Sequence, residues 1–540
     1  MDNYFVSSCK RVKDWICRQF GQKEKKTVHH KKLADGGEVI VWETGRAGEE
    51  AASYENLFLR KEIAGFRTNI RREQSCSIKS LTRDYLYKQL LSSGEYTFDH
   101  MLVIKDPYGE APLTALALFM LEEPACVRVT TKGNLKVTDF VTELPKKKEH
   151  RVPILGMYAE KANDIVIEIL DDEGNCVKSH TFTIRTKRLP KSLRNVITVK
   201  KWTDKPAYSN IMINGGVKIH TCVFDIEGKI RYYLSRKPRG YGIFPLSDGH
   251  FFYMEKYISV PSYSNPQTVE SYDMDYFGRV FRTYLTEKGV HHTAEEKAGG
   301  NILTGSNSML EHTEDCVIEI DRQTGEIVWQ LNMAELFDET YQNMMDWCHV
   351  NSAAYYEKDR TILISLRNVH AVICVDYDTK KLRWILSDPK FWEGTKMTPY
   401  LLQPEGDVKW CYQQHAAFEI ALPDESNPQK KRIIVYDNHW AKRRKAKSFD
   451  KDPLSYVSFY DIDEEKKTVS LHKRFAGPKT RIRANGIYVP DKKRVYNMAG
   501  SYAEPVDGDG GGIFEYDYET GEVLSEFGVK PGFFRAYPFE

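Results

Sequence analysis

Apolar and polar residues alternate with a period of two through much of the chain. Cys126-Val127-Arg128-Val129-Thr130 and Asp164-Ile165-Val166-Ile167-Glu168-Ile169-Leu170 are clear instances. That period places successive side chains on opposite faces of an extended segment, so these stretches are predicted strands. The turn Asp171-Asp172-Glu173-Gly174-Asn175 ends one of them, and another runs through Phe182-Thr183-Ile184. Short strands punctuated in this way predict a small antiparallel β-sandwich over 95–195, opened by Asp106-Pro107-Tyr108-Gly109 and leading to Pro112-Leu113-Thr114. Upstream the pattern changes. Phe5, Cys9, Val12, Ile16 and Phe20 recur at helical spacing, with Lys10, Arg11, Lys13 and Arg18 on the opposite face. This is a basic amphipathic helix, read first as packing on the body and second as touching an anionic membrane surface or a partner. His29-His30-Lys31-Lys32 reads as a solvated loop and 50–95 as mixed helix and loop, so 1–94 is a partly helical extension.

From 196 to 540 the pattern repeats. Each copy is a strand, an Asp-containing turn that often carries Gly, and a second strand. The reference Asp residues are Asp225, Asp275, Asp321, Asp376, Asp461 and Asp517, at steps of 50, 46, 55, 85 and 56. A four-stranded propeller blade takes roughly 40–50 residues, so each ordinary step is one blade and the six copies predict a six-bladed β-propeller. The long step holds His415 and the basic loop Lys442-Arg443-Arg444-Lys445-Ala446-Lys447, read as an insertion. The fold class is therefore all-β: a partly helical N-terminal segment (1–94), a small β-sandwich domain (95–195) and a six-bladed propeller (196–540).

Composition narrows the function classes. Lys plus Arg number 78 against 76 Asp plus Glu, so no global field points to nucleic acid or a membrane surface. The longest apolar run, near Leu113 to Leu121, falls short of the ~20 residues that span a bilayer. The start of the chain lacks a continuous apolar stretch, so no secretory signal is expected and a reducing cytoplasm is the simplest compartment. Ten cysteines lie singly with no CxxC pair, which argues against a zinc ribbon or a disulfide framework and for buried thiols.

Candidate chemistry lies in three repeats. His349 sits in Asp346-Trp347-Cys348-His349-Val350-Asn351-Ser352, with Arg367 one hairpin later in Leu366-Arg367-Asn368. His415 follows Trp410-Cys411-Tyr412-Gln413-Gln414, and His250 ends Leu246-Ser247-Asp248-Gly249-His250. If one residue per blade points into the central funnel, three imidazoles and one permanent cation meet there, with no evident carboxylate beside them. Three imidazoles suit zinc, but the neighbouring Arg opposes a divalent metal, so the expectation is an anionic group and no metal or cofactor. His291-His292 competes with His250 for the third place. Trp347, Trp410, Tyr412 and Phe244 are available to stack on an aromatic ring or to fill blade interfaces.

Several of these stretches resemble the bacterial arylsulfate sulfotransferase family: the segment at 346–352, Ser365-Leu366-Arg367-Asn368, Ile385-Leu386-Ser387-Asp388-Pro389, Gln414-His415-Ala416, Val435-Tyr436-Asp437-Asn438, and Asp106 through Thr114. The resemblance spans about 95–535. It implies an amino-terminal β-sandwich, a six-bladed propeller, and transfer of a sulfuryl group from a phenolic sulfate ester to a phenolic acceptor without a nucleotide donor. Carried over by position, His415 is the nucleophile that becomes transiently sulfated. His349 and Arg367 hold the sulfuryl oxygens, and His250 completes the pocket. In relatives a pair like His291-His292 is followed by an acid, whereas Thr293-Ala294 follow here. Secreted relatives carry a disulfide near the catalytic loop; Cys411 has no close partner, so the chain resembles a cytoplasmic branch. The resemblance also implies a homodimer. Two other readings stand beside it. Asp321 through Trp329 resembles the blade-docking repeat of quinoprotein dehydrogenases, with Trp329 and Trp384 in the docking place, and a non-catalytic propeller could simply bind a partner.

Overall fold

The computed structural model describes residues 28–34, 36–52, 76–216, 219–236, 241–258, 267–308, 312–342, 344–422, 427–440 and 452–539. The helix expected over 5–20 and the basic loop Lys442 to Lys447 lie outside the described residues. The described chain is mostly β, and it divides into two compact units. The smaller takes residues up to Lys132 with Phe140–Met157 and Ala162–Arg185; the larger takes Gly133–Asp139, Tyr158–Lys161 and Thr186–Glu540.

The smaller unit is built on one seven-stranded sheet. Its spine is the 17-residue strand Ala115–Thr131. One edge of that strand pairs with Phe140–Ile154; the other pairs with His100–Lys105 along its first part and with Ala162–Leu170 along its last. The register shifts between Met120 and Ala125, where Pro124 has no N–H to give the ladder. Two more strands come from before the expected domain boundary: Glu38–Trp42 runs parallel to His100–Lys105, and Val28–Lys32 pairs with Glu38–Trp42. His29 to Lys32 is therefore a strand, not the expected loop. The reason is Val39, Ile40 and Val41, which are buried and draw the segment into the sheet. Helix Cys76–Ser92 buries Leu86, Tyr87 and Leu91.

The larger unit has a propeller-like arrangement of mostly antiparallel sheets, with a strand of each lying beside one of the next. Closure is non-local. The last strand, Arg535–Phe539, pairs with Asn210–Asn214, and Ile197–Lys201 pairs with Val523–Val529. Each Asp turn found in the sequence joins two antiparallel strands. In most the side chain accepts backbone N–H groups of its own turn, as Asp225 does from Glu227 (3.1 Å) and Lys229 (3.0 Å). One reference residue needs correction. Asp463, not Asp461, caps its turn by accepting from Lys466 N at 3.0 Å, while Asp461 sits in the strand with Arg432 Nε at 2.6 Å. Two residues of the same type two positions apart point to the same face, so spacing alone does not separate them.

Trp329 and Trp384 link neighbouring sheets. Trp329 stacks on Tyr377 at 5.1 Å between ring centres and donates Nε1–H to Tyr377 O at 3.0 Å. Trp384 is 2% exposed and donates Nε1–H to Glu464 at 2.6 Å. Truncating Trp384 to Ala removes a large side chain from a closed interface and is expected to cost roughly 3–5 kcal/mol. Thermal or denaturant unfolding measures this, and a loss below ~1 kcal/mol would show the interface to be dispensable.

Candidate active site

Six strands of the larger unit lie side by side, and residues before or at the start of five of them, with two at a register shift inside the sixth, form one mouth. Tyr241 precedes Gly242–Pro245, His291 and His292 lie within Val280–Glu296, and His349 precedes Val350–Tyr356. His415 opens His415–Ile420, Arg483 stands two residues before Asn485–Val489, and Phe534 precedes Arg535–Phe539. Ring centres connect them: Tyr241 to His292 at 4.3 Å, His292 to His349 at 4.7 Å, and Tyr241 to Phe534 at 5.3 Å. The backbone turns sharply here. His292, His349, Gln413, Ala416, Arg483 and Ala484 all have positive φ, between 49° and 99°. Side-chain-bearing residues seldom adopt that conformation, and it collects at functional sites.

His415 is held in one tautomer. Its Nδ1 lies 2.6 Å from Asn438 Oδ1. The Asn438 amide nitrogen donates to Thr480 Oγ1 (2.8 Å) and Arg483 O (3.2 Å), so Oδ1 is the atom left to face the imidazole and Nδ1 must carry the proton. The lone pair then resides on Nε2, which accepts the backbone N–H of Arg483 at 3.3 Å. Burial, and after it the charge of Arg367, holds His415 well below the ordinary imidazole range. It is a neutral imidazole with its lone pair at Nε2. Arg367 is buried and donates to Asn368 Oδ1 (3.1 Å), Gln413 Oε1 (3.1 Å) and Arg481 O (3.3 Å).

His349 is the opposite case. Its Nδ1 lies 2.9 Å from Asp346 Oδ2 and 2.6 Å from Glu314 Oε2. Burial disfavours charge on this ring, but the two carboxylates outweigh it and raise its pKa to about 9. With Nδ1 committed to the acids, the opposite edge, Nε2–H, is the one left for a bound group. Glu314 also accepts from the Tyr241 hydroxyl at 3.1 Å. Burial disfavours its charge too, yet the charge of His349 keeps its carboxyl well below the usual range. His291 Nε2 must donate to Ser306 O at 2.8 Å, so its Nδ1 accepts from His292 Nδ1 at 3.2 Å. Burial keeps His292 well below the ordinary value, leaving a neutral ring.

Three expected site residues are thus brought together and one is not. His250 lies in the hairpin joining Gly242–Pro245 to Phe251–Ile258, beyond the far end of the strand that Tyr241 opens. There its Nδ1 meets Asp273 at 2.6 Å, its ring stacks on Phe281 at 4.2 Å, and Arg322 joins Asp273 and Asp248 in the same cluster. His292, its competitor, sits at the mouth. The aromatic candidates are structural: Trp347 and Phe244 are 1% exposed and belong to the core. Glu314 had escaped notice. The signal was Thr313-Glu314-Asp315, three polar residues directly before the apolar strand Cys316–Ile320, all of them fully buried.

The loop before His415 is held without a disulfide, for Cys411 is a free, buried thiol. Tyr412 N donates to Asp437 (2.9 Å), the Tyr412 hydroxyl to Asp388 (3.0 Å), and Gln413 N to His370 Nδ1 (3.0 Å). The Gln414 amide donates to Ser365 Oγ, Leu366 O and Ala371 O. As for cations, among the described residues two trios have ligand atoms within 4.8 Å of one another, His291-His292-Glu314 and Glu314-Asp346-His349. Both share Glu314, whose oxygens already face the Tyr241 hydroxyl and the His349 ring.

The geometry brings a neutral buried imidazole, a protonated one and a guanidinium together in the mouth of the larger unit, and the comparisons give the chain a family. The sequence pattern of the Arylsulfotransferase (ASST) family matches residues 195–535, and that of the Arylsulfotransferase Ig-like domain matches 102–187. Arylsulfate sulfotransferase AssT of Lelliottia amnigena is 21% identical over 563 aligned positions, covering 79% of this chain and 90% of that protein. The AssT of Escherichia coli O6:H1 (strain CFT073) is 22% identical over 566, with the same coverage of each chain. The chain belongs to the arylsulfotransferase family and is an aryl-sulfate sulfotransferase. No helix among the described residues is long and apolar enough to cross a membrane.

Nitrogen-15 NMR of the imidazoles tests the protonation pattern. At pH 7 His349 is expected to carry two protons and His415 one, on Nδ1. His349 should lose its charge only as pH rises through about 9. A neutral His349 at pH 7 would contradict the arrangement.

Proposed function

We propose that the enzyme moves a sulfuryl group from a phenolic sulfate ester to a phenolic acceptor in two steps through a sulfohistidine at His415, with no nucleotide donor. The observation that carries this is His415 itself: buried, neutral, its proton fixed at Nδ1 by Asn438 and its lone pair at Nε2. In the first step Nε2 attacks sulfur and forms the N–S bond while the ester S–O bond breaks, and the departing phenolate takes the proton from His349 Nε2. In the second step the acceptor phenol gives its proton back to His349 and its oxygen attacks sulfur; the N–S bond breaks and neutral His415 returns. Sulfuryl transfer resembles phosphoryl transfer in passing through a loose in-line transition state, so positioning and charge matter most. An acid near 9 is well matched to a phenol near ~10, because proton transfer is most effective between groups of similar pKa. Arg367 is assigned to the sulfuryl oxygens and the Nε2–H of His349 to the bridging ester oxygen, and His292 takes the place first expected of His250, lining the pocket with a neutral ring.

The scaffold reading is finer than the sheet count. The strand Val280–Glu296 pairs with Gln267–Met274 along its first part and with Ile302–Ser306 along its last, so its seven-stranded sheet reads as two blades sharing one strand, and the whole as six blades. The match of 102–187 to an Ig-like domain supports a sandwich reading of the smaller unit.

Two outcomes are expected. His415→Asn should abolish nitrophenolate release from 4-nitrophenyl sulfate while the circular-dichroism spectrum stays unchanged; retained turnover would sink the assignment. Wild-type release should depend on added phenol and yield phenyl sulfate, whereas release without acceptor would mean hydrolysis. The pH–rate profile should be bell-shaped. Its alkaline limb falls as pH rises through about 9 and His349 loses its proton; its acid limb lies well below ~6.5, where His415 becomes protonated.

A further inference from the structure

The segment Thr480 to Ala484 touches three members of the site. Thr480 Oγ1 accepts from Asn438 at 2.8 Å, Arg481 O accepts from Arg367 at 3.3 Å, and Arg483 N donates to His415 Nε2 at 3.3 Å. The two residues that enter the next strand, Arg483 and Ala484, have φ of 68° and 99°, and Ala484 N is tied to Phe534 O at 3.2 Å. The Arg483 side chain reaches the mouth. Its neighbour there is Tyr241, whose hydroxyl is committed to Glu314. Among the described residues the buried Nη1 of Arg483 meets no hydrogen-bond partner, and no carboxylate forms an ion pair with it. Burying one end of a half-buried guanidinium without a counter-charge is costly. Burial accordingly lowers its affinity for its proton. An anion bound in the mouth removes that cost, and a planar guanidinium suits the tetrahedral oxygens of a sulfuryl group.

We propose that Arg483 is a second guanidinium of the sulfuryl pocket, taking an oxygen of the donor's sulfate group. This rests on the transfer reading above and adds a residue to it. Arg483 would then act on the same atom twice. Its backbone N–H caps the resting lone pair of His415, and its side chain draws the anion that replaces that cap. The ligand class is a monoanionic aryl sulfate ester.

The test is kinetic, with 4-nitrophenyl sulfate as donor and phenol as acceptor. Arg483→Ala is expected to lower kcat/KM for the donor by about 10²–10³-fold, the usual loss for one donor to a developing oxyanion. Added guanidinium ion should restore part of that rate, and Arg483→Lys should fall between. Should Arg483→Ala prove unfolded, Arg483→Gln and Arg483→Lys carry the same comparison at matched side-chain length. Rates within about twofold of wild type, or a loss that guanidinium ion does not relieve in any variant, would overturn the role of Arg483 while leaving transfer through His415 standing. A wild-type enzyme unable to transfer to phenol would overturn both.

Discussion

One fully buried carboxylate organises the mouth of the larger unit. Glu314 faces His349, His292 and the Tyr241 hydroxyl, which lie in or beside three different strands. An isolated buried carboxylate is unstable in a protein interior. Glu314 stays ionised because His349 takes up a proton, and His349 stays protonated because Glu314 and Asp346 surround its Nδ1. The charge state of each therefore depends on the position of the other. Ring orientation, tautomer and funnel shape follow from that mutual dependence.

The consequence is a pair of imidazoles of unlike character in one pocket. His415 has an amide oxygen and a guanidinium for neighbours, and it is neutral. His349 has two carboxylates, and it is charged. Environments that push like groups apart are what divides acid from nucleophile within a site. In the proposed route this division of labour supplies a lone pair, a proton and fixed positive charge.

Much of this was legible in the sequence. Period-two alternation and recurring Asp turns gave an all-β chain with a repeating second part, because turns and strands are local. His349, Arg367 and His415, which the structure brings together, stand out because each lies beside a strand boundary in a recognisable segment. His250 could not be separated from His292 in that way. Which end of a strand faces the funnel depends on how Arg535–Phe539 closes onto Asn210–Asn214, a pairing across more than 300 residues that no local pattern reveals. The four residues of Gly242–Pro245 suffice to carry His250 to the wrong end. Glu314 was hidden for a related reason. Acids before a strand are usually solvated, and only the converging histidines make this one a buried ion. His29 to Lys32 looked like a loop because its side chains are largely exposed, as those of an edge strand are.

The central claim is that sulfur is bonded to His415 between the two half-reactions. Mass spectrometry of the enzyme incubated with 4-nitrophenyl sulfate and no acceptor, then digested under alkaline conditions, tests it most directly. The account predicts one added sulfuryl group on the peptide containing His415, lost again when phenol is supplied before the quench. An unmodified His415 peptide, with sulfuryl found elsewhere or nowhere while transfer proceeds, would contradict it.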